Sequence, residues 1–429
     1  MRLAVFTSNY PARVATFFER DMRALHEAGI ELEVFAVRAQ QRELWRYSLD
    51  ILNREHLPRQ RVHHLTWPRA MMRAARGGAL RRAMNLRDAA SILAAAARFG
   101  PAAFAKTACV LPKGWAWTAG PGPRIDHVLA YWGNYAGTCA YVFHRMLNRR
   151  IPFSIWLHAG ADLYKTPVFL REKLRYADNI ITCCEFNRGY IRQHFGKQEP
   201  DITSRIHVCH HGLDLRTFPF RPSGRPADRV VAVGRLADHK GFDHLLRATH
   251  LLLGRGVDVK VDLVGDGPQR RALESMVVKL GLRDSVRFLG WLPFPAASSA
   301  MASATLLVHP SDELGDGLPN VVREAMALGT PVIGSRVAGI PDALNERCGV
   351  LVPPGDAVAL ADAIQRLLAD PEQRIDIARR ARRRVEENFD LWRNGRRLAG
   401  LLRQTRRRAD RGAPSRAVPL AGQAALGGD

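Results

Sequence analysis

The sequence has only six cysteines in 429 residues, and none of them forms a CxxC pair or a histidine–cysteine cluster with metal-ligand spacing. A zinc centre and a disulfide framework are therefore disfavoured, and we expect buried free thiols in a reducing compartment. A GxGxxG turn is also missing. The nearest pattern, VGDGPQRRALE at residues 264–274, is not followed about 20 positions later by an acid that meets the ribose rule, which disfavours a nicotinamide cofactor.

Long apolar runs are also missing. The most apolar region, residues 91–112, is interrupted by Arg98, Lys106 and a Gly-Pro pair, so we predict no transmembrane helix. The opening MRLAVFTSNYP has only about five apolar residues before a turn, too few for the core of a signal peptide. We therefore expect residues 3–7 to form a first β-strand and the chain to be cytoplasmic.

Acidic residues are few relative to basic ones. The chain has 41 Asp and Glu against 64 Lys and Arg, which gives a net charge of +23. Such an excess indicates an anionic partner: nucleic acid, an anionic membrane surface or a phosphate-bearing small molecule. Charge alone does not choose among the three.

Strands and helices alternate along the second half of the chain. RVVAVG and VDVKVDLVG are typical of buried strands, and GFDHLLRATHLLLG and PQRRALESMVVKLG of amphipathic helices. The first half repeats the pattern less regularly in LAVFTS, HVLAYWG, FSIWLHA, NIITCCE and RIHVCHHG. This β-α-β alternation predicts an α/β protein with two doubly wound, Rossmann-like domains that face each other across a ligand cleft.

The Pro- and Arg-rich stretch at residues 215–228 marks the expected boundary between these domains. We assign residues 1–220 to an N-terminal domain and 221–390 to a C-terminal domain. A last helix is expected at 391–405. The remaining residues, 406–429, lose apolar periodicity and are predicted to be a disordered tail.

Two acids flank a predicted helix start in GDGLPNVVREAMALG, residues 315–329. Pro319 suits the first helical position and Gly329 the position after the last turn, so Asp316 lies in the loop and Glu324 in the second turn. Gly317 allows close backbone approach, and the first-turn amides favour an anion. The arrangement suits a phosphorylated sugar whose hydroxyls bind the acids. The alternative is that Asp316 caps the turn and Glu324 is a solvated helix acid.

A second group of candidate residues lies in VGRLADHKGFDHLL, residues 233–246. Arg235 follows a strand, and Lys240 with Gly241 stands at a helix start. An Arg and a Lys near strand ends could stabilise a departing diphosphate in place of a divalent metal. Solvated loop cations are the alternative. The turn at Gly265 would let a ligand approach closely, or is simply structural.

Several motifs together resemble the donor-binding domain of glycosyltransferase family 4, the retaining GT-B enzymes. They are VGRLADHKGFDHLLRA, LVGDGP, RFLGWLP and HPSDELGDGLPNVVREAMALGTPVIGSRVAGIPDAL, and they cover about residues 229–390 in the order of the family. In that family two acids separated by seven residues flank the donor. The matching pair is Asp316 and Glu324, with Asp where the family more usually has Glu.

The resemblance implies a role for each matched residue. Glu324 would bind the ribose hydroxyls, Asp316 the donor sugar, and Arg235 with Lys240 the diphosphate. No metal is implied. The donor-binding set is Gly234, Arg235, Lys240, Gly265, Asp316, Gly317, Leu318, Pro319, Asn320 and Glu324, and the catalytic set is His158, Arg235, Lys240, Asp316 and Glu324.

The N-terminal half resembles the same family over shorter segments. YPARVATFFERDMRALHEAGIELEVFAV is similar to the first strand and helix of members that build bacterial polysaccharides, and IPFSIWLHAGADLY to their segment with a functional histidine. The match nominates His158, with Asp162, on the acceptor or sugar side. A core histidine at a strand end is the alternative. The paired glycines that many relatives carry after the first strand are absent. In the family, one of the last helices crosses back onto the first domain.

A basic stretch runs from Arg54 to Asp88, with nine arginines against two acids and with apolar residues such as Trp67 and Met72 between them. This composition fits an interfacial segment on anionic lipid, or a solvated surface.

Taken together, the resemblance implies a metal-independent hexosyltransferase type of enzyme that uses a nucleotide-diphosphate sugar. The expected acceptor is a glycan or lipid-linked molecule in exopolysaccharide, capsule or lipopolysaccharide synthesis, at the inner face of the cell membrane. A GT-B epimerase or phosphorylase is the nearest alternative. A nucleic-acid-binding protein would explain the charge, but no recognition motif supports it.

Overall fold

The structure is a computed structural model that describes residues 1–11, 16–38, 61–76, 83–119, 122–147, 151–197, 199–315, 317–345 and 347–411. The chain forms two compact units. The first contains Met1–Gly212 together with the last helix, and the second contains Leu213–Asp390. The breaks expected from the sequence lie after residues 220 and 390.

A parallel sheet forms the centre of the first unit. In the described residues its strands are β1 (Arg2–Thr7), β2 (Glu31–Ala36), β3 (Val62–His64), β4 (His127–Ala130), β5 (Phe153–Leu157), β6 (Asn179–Thr182) and β7 (Ile206–Val208). Their order in space is β3-β2-β1-β4-β5-β6-β7, so the winding direction reverses between β1 and β4. Ligands of doubly wound sheets bind at such a reversal, at the carboxyl ends of the strands.

Helices cover both faces of this sheet because its strands are apolar on both sides. Ala4 and Phe6 of β1 pack into one core, and Leu3 and Val5, which point the other way, pack into a second core. The helices of this part are α1 (Thr16–Glu27), α2 (Trp67–Arg76), α3 (Ala83–Ala97), α4 (Pro101–Ala116), α5 (Tyr135–Met146), α6 (Leu170–Tyr176), α7 (Glu185–Ile191) and α8 (Pro200–Thr203). A short π-helix occupies Ala161–Lys165.

The second unit repeats the architecture. Its described strands are β8 (Arg229–Val233), β9 (Lys260–Val264), β10 (Val286–Gly290), β11 (Leu306–His309), β12 (Val332–Ser335) and β13 (Val350–Val352). All pair in parallel in the order β10-β9-β8-β11-β12-β13, with the reversal between β8 and β11. The helices are α9 (Phe242–Gly254), α10 (Arg270–Lys279), α11 (Phe294–Ser303), α12 (Asn320–Leu328), α13 (Ile340–Leu344), α14 (Ala357–Ala369) and α15 (Pro371–Asn388).

The last helix, α16 (Leu391–Asp410), belongs to the first unit. Its residues Leu398 and Leu402 share a core with Leu3 and Val5 of β1. The helix continues through residues 406–410, where we expected a disordered tail. Residues 412–429 lie outside the described part of the chain.

The predicted fold class is confirmed: two parallel, doubly wound sheets with helices. The six cysteines are all free, as expected from their spacing. The prediction that they are buried is wrong for Cys109, which is exposed on α4. Within the described residues, no helix combines the length and the apolar character that a bilayer crossing requires.

Candidate active site

The loops that follow β8, β9 and β11 lie side by side, because these strands are neighbours in the sheet. Gly234 and Arg235 follow β8, and Gly265 follows β9. The Gly234 N–H donates to the Val264 carbonyl oxygen at 2.9 Å, and two residues later the Leu236 N–H donates to the Asp266 carbonyl oxygen at 3.1 Å. The predicted strand-end residues of β8 and β9 are thus joined by backbone hydrogen bonds.

Gly265 is a turn position at which only glycine fits. Its φ is +136°, and a Cβ atom there would lie 1.8 Å from the Gly234 carbonyl oxygen. L-residues rarely adopt this φ, and the nearby atom belongs to the backbone, so a side chain would require the two turns to separate.

Lys240 closes a short 3₁₀ turn, Asp238–Lys240, immediately before α9. Gly241 then adopts φ +62°, and a Cβ atom on it would lie 2.0 Å from the Pro310 carbonyl oxygen after β11. The Lys240 Cε atom is 4.0 Å from the position of a Cβ on Gly234, so the lysine side chain lies along the β8 loop. The predicted helix start at Gly241 is confirmed. Arg235, the residue after Gly234 in the β8 loop, is exposed.

The segment before α12 is buried at Gly317, Leu318 and Pro319. The Gly317 carbonyl oxygen accepts from the Gly339 N–H at 2.8 Å, which fixes the approach to the helix. The helix itself begins at Asn320, one residue after the predicted position, because Pro319 has an extended ψ of 131°. Among the described residues no side chain caps the first turn of α12. Its amides are therefore available to an acceptor from a ligand.

Glu324 lies in the second turn of α12 and is 4% exposed. The sequence prediction of a solvated helix acid, the alternative considered above, does not fit this burial. Gly329 ends the helix with φ +79°, as predicted. Asp316, the other predicted acid, lies outside the described residues.

One cluster beside this loop has ligand atoms in a metal-compatible arrangement. Asp243, His244 and Asp312 each offer one such atom, all within 4.8 Å of one another. The Nε2 atom of His244 is 3.1 Å from Asp312 Oδ2, and its Nδ1 atom is 3.6 Å from Asp243 Oδ2. As they stand, these contacts tie the β11 loop to the first turn of α9.

In the first unit, His158 follows β5 and its side chain is 8% exposed. Its N–H donates to Asp162 Oδ2 at 3.1 Å, and its carbonyl oxygen accepts from the Asn187 amide nitrogen at 2.6 Å. The backbone of His158 is therefore held from two sides.

Asp162 is 1% exposed and binds backbone amides from two loops. Besides His158, it accepts from the N–H of Gly133 at 3.3 Å and of Ala159 at 3.1 Å. Its Oδ2 atom lies 3.8 Å from His158 Nδ1, beyond hydrogen-bond distance. In this geometry Asp162 joins the loops after β4 and β5.

Other side chains around His158 were not singled out from the sequence. His211, which follows β7, stacks on it with centroids 4.9 Å apart, and His211 Nδ1 is 2.6 Å from Asp21 Oδ2 of α1. Tyr131 also donates to Asp21. Burial and Asp21 raise the pKa of Tyr131 well above its ordinary range, which keeps its hydroxyl a donor. His211 lies near the end of RIHVCHHG, a predicted strand segment, and a polar residue at the carboxyl end of such a strand was the available signal.

Comparison with known proteins adds to this geometry. Residues 227–370 match the family described as glycosyl transferases group 1. The match with this family lies within the second unit and covers most of it. This match confirms the resemblance on which the donor-site assignments rest, although the match itself tests none of the individual residues.

Among similar curated proteins is the putative colanic acid biosynthesis glycosyltransferase WcaL of Escherichia coli, 33% identical over 209 residues. The alignment covers 46% of this chain and 51% of WcaL, so the chain spans about half the length of the curated relatives it matches.

Two solved structures resemble nearly the whole chain. Sucrose-phosphate synthase from Thermosynechococcus elongatus has a TM-score of 0.71 at 22% identity, covering 94% of this chain and 98% of its own. Anabaena HepE in complex with UDP has a TM-score of 0.66 at 18% identity, covering 94% and 99%. At these identities the likeness shows the fold, which is GT-B.

Proposed function

We propose that the protein transfers a sugar from a nucleotide-diphosphate sugar to an acceptor hydroxyl. The observation that carries this proposal is the burial of the Glu324 carboxylate in the second turn of α12. In the first turn of the same helix, no described side chain caps the backbone amides. A carboxylate accepts hydrogen bonds from sugar hydroxyls, and first-turn amides bind anionic oxygens. A ligand with both groups, such as a nucleotide sugar, fits the two together.

In this proposal each predicted residue has one task in the donor complex. Glu324 binds the ribose hydroxyls, and the N–H groups of Gly317, Leu318 and Asn320 face the donor sugar; Pro319 has no N–H to donate. Asp316 would accept from a hydroxyl of that sugar; its assignment rests on its sequence spacing from Glu324. The glycines at 234 and 265 leave room for the diphosphate because neither carries a side chain.

Arg235 and Lys240 supply positive charge to the leaving diphosphate. As the bond between the anomeric carbon and the phosphate oxygen breaks, that oxygen becomes more negative, and a fixed cation stabilises it. The position of Lys240 along the β8 loop supports this role. Two cations would replace a metal ion in stabilising this charge.

His158 of the first unit is proposed to contact an acceptor or sugar hydroxyl. Its buried ring nitrogens have no hydrogen-bond partner among the described residues, which supports a partner supplied by substrate. The acceptor oxygen would attack on the face that the diphosphate leaves. Retention of configuration is carried over from the family.

The chemistry of relatives suggests the substrates. HepE has been solved in complex with UDP and with UDP-glucose, and WcaL is named for colanic acid biosynthesis. We therefore propose a UDP-sugar as the donor and a glycan or lipid-linked acceptor in surface-polysaccharide synthesis.

A surface of the first unit supports peripheral attachment to an anionic membrane from the cytoplasmic side. Five of the nine large apolar side chains that are exposed in the described residues lie between Trp67 and Phe104, which concentrates them on α2, α3 and the start of α4. Exposed arginines accompany them. This α2–α4 surface comprises Trp67, Arg69, Met72, Arg73, Arg76, Leu86, Arg87, Arg98, Phe99 and Phe104.

Apolar rings among arginines suit the headgroup region of anionic lipid. The described residues 61–76 and 83–88 include part of the basic stretch predicted from Arg54 to Asp88. Residues 54–60 and 77–82 lie outside the described part.

The nearest enzyme alternatives predict different products. A GT-B epimerase would convert the nucleotide sugar without an acceptor, and a phosphorylase would require inorganic phosphate. A nucleic-acid-binding protein would bind in a steeply salt-dependent way and ignore nucleotide sugars.

The test is a transfer assay with radiolabelled UDP-sugars and membrane-lipid extracts, comparing the wild type with Lys240→Ala. We expect Lys240→Ala to lower transfer by about 100-fold, the usual cost of losing one transition-state charge contact. Lys279→Ala, which removes an exposed lysine at the end of α10, is the control and should transfer at the wild-type rate. Equal rates in both variants would overturn the role of Lys240.

A further inference from the structure

The orientation of the His158 ring depends on packing rather than on hydrogen bonds. Neither ring nitrogen has a hydrogen-bond partner among the described residues. The ring is instead surrounded by aromatic side chains, with centroid distances of 4.4 Å to Trp132 and 4.8 Å to Tyr131. A ring held only by packing keeps its plane only if its neighbours keep theirs.

His211, a second ring against His158, is itself fixed by a hydrogen bond. Its Nδ1 atom lies 2.6 Å from Asp21 Oδ2, and both side chains are nearly buried. Tyr131 donates its hydroxyl to the same carboxylate. A charge-assisted bond of this length is strong in a buried site and sets both the ring plane and the tautomer of His211.

Three nearly parallel rings, those of His211, His158 and Trp156, form a stack in which each ring contacts the other two; the Trp156 and His158 centroids lie 5.6 Å apart. The plane of His211 is inclined by 4° to His158 and by 15° to Trp156, with centroids 4.9 Å away in both cases. Trp156 is 1% exposed near the end of β5, so the core fixes its ring against both histidines. Rotation of His211 would therefore disturb the ring on which His158 rests.

We propose that Asp21 and His211 are positioning residues that hold the imidazole of His158 in the orientation its substrate contact requires. The proposal rests on the proposed function, in which His158 contacts a substrate hydroxyl. Asp21 acts on His211, and His211 acts on His158 through ring stacking. Neither touches substrate in this account.

Two variants distinguish the effect of the Asp21–His211 hydrogen bond from that of the stacked His211 ring. Asp21→Asn keeps the shape of the side chain but removes its charge. His211→Phe keeps a flat ring in the stack but loses the bond to Asp21. The control is His210→Gln: His210 directly precedes His211 in the chain, and its Nδ1 lies 2.8 Å from the Cys183 carbonyl oxygen.

The first readout is the ¹⁵N spectrum of histidine-labelled full-length protein, in which His158 is assigned by the signals that His158→Gln removes. We expect the His158 signals to shift in Asp21→Asn and in His211→Phe, and to stay unchanged in His210→Gln. This readout needs no substrate, so it decides the proposal even if the protein transfers no sugar.

The second readout is kinetic. A lost orientation should lower kcat by about tenfold or more, because small displacements of reacting groups are costly, while UDP affinity stays at the wild-type value. Thermal unfolding of each variant verifies that it is folded, and if Asp21→Asn fails to fold, His211→Phe carries the test. Unchanged His158 signals, or an unchanged kcat in a protein with measurable transfer, would overturn the proposal.

Discussion

At the scale of single residues, the turn at Gly265 can form only because this residue has no side chain. Gly265→Ala would place a Cβ 1.8 Å from a backbone oxygen at φ +136°. We expect a loss of about 1–3 kcal/mol in the free energy of unfolding, the range of strained backbone positions, and a weaker affinity for UDP. Urea unfolding and titration with UDP would measure the two effects.

Gly254→Ala is the matched control for Gly265. Gly254 ends α9 in open space and without a positive φ. Alanine there should leave stability unchanged or raise it by up to about 1 kcal/mol. If Gly265→Ala were as stable as this control, the close approach of the two turns would be wrong.

Single residues could be predicted from the sequence where their role depends on neighbouring positions in the chain, and not where it depends on a contact between distant segments. Glu324 and Gly329 follow from the spacing of one loop and one helix, and the structure puts Glu324 in the second turn as predicted. The Asp21–His211 bond joins residues 190 positions apart and requires β7 and α1 to be near one another. No local pattern in the sequence carries that information.

At the scale of elements, the strands of both units were predictable because parallel strands buried on two faces are continuous apolar runs. NIITCCE and RVVAVG each contain such a run, and β6 and β8 lie there. For the region between β2 and β4, the sequence patterns did not predict separate strands and helices. Its strand β3 has only three residues, and α2 carries exposed Trp67 and Met72, which obscure its periodicity.

Strand β7 also contains a buried histidine that makes stability depend on pH. Burial lowers the pKa of His207 to about 4, from an ordinary value near 6.5. Between these two pH values the unfolded chain takes up a proton that the folded chain resists. The free energy of unfolding should therefore fall as the pH falls from 6.5 towards 4.

His207→Leu should reduce that pH dependence, by up to about 1.4 kcal/mol per pH unit for one proton. Urea unfolding at pH 7, 6 and 5 measures the slope for each protein. The control His194→Gln removes an exposed histidine of the same unit and should keep the wild-type slope. An identical slope in His207→Leu would mean that His207 is not kept neutral by the fold.

At the scale of the whole molecule, the charge of +23 is accounted for in part by the α2–α4 surface. We expect the wild type to sediment with vesicles of phosphatidylglycerol, and less so at high salt, because surface charges are screened. A variant with Trp67→Ala, Met72→Ala, Arg69→Gln and Arg73→Gln should bind fewer vesicles and keep its affinity for UDP.

The control for vesicle binding removes charges elsewhere: Arg271→Gln and Lys279→Ala lie on exposed positions of α10. That variant should bind vesicles almost as the wild type does. Equal losses in both variants would show that net charge, rather than the α2–α4 surface, governs vesicle binding.

The central claim is that Glu324 and the loops around it bind a nucleotide sugar without a metal. Calorimetric titration of the full-length protein with UDP in EDTA tests it most directly, with Glu324→Ala and the exposed Glu372→Ala compared under the same conditions. We predict saturable binding by the wild type and by Glu372→Ala, and a loss of about tenfold or more in Glu324→Ala, in keeping with a hydrogen-bonded charged group. Binding that requires a divalent cation would direct attention to Asp243, His244 and Asp312. Equal UDP affinity in folded Glu324→Ala and wild type would contradict the account.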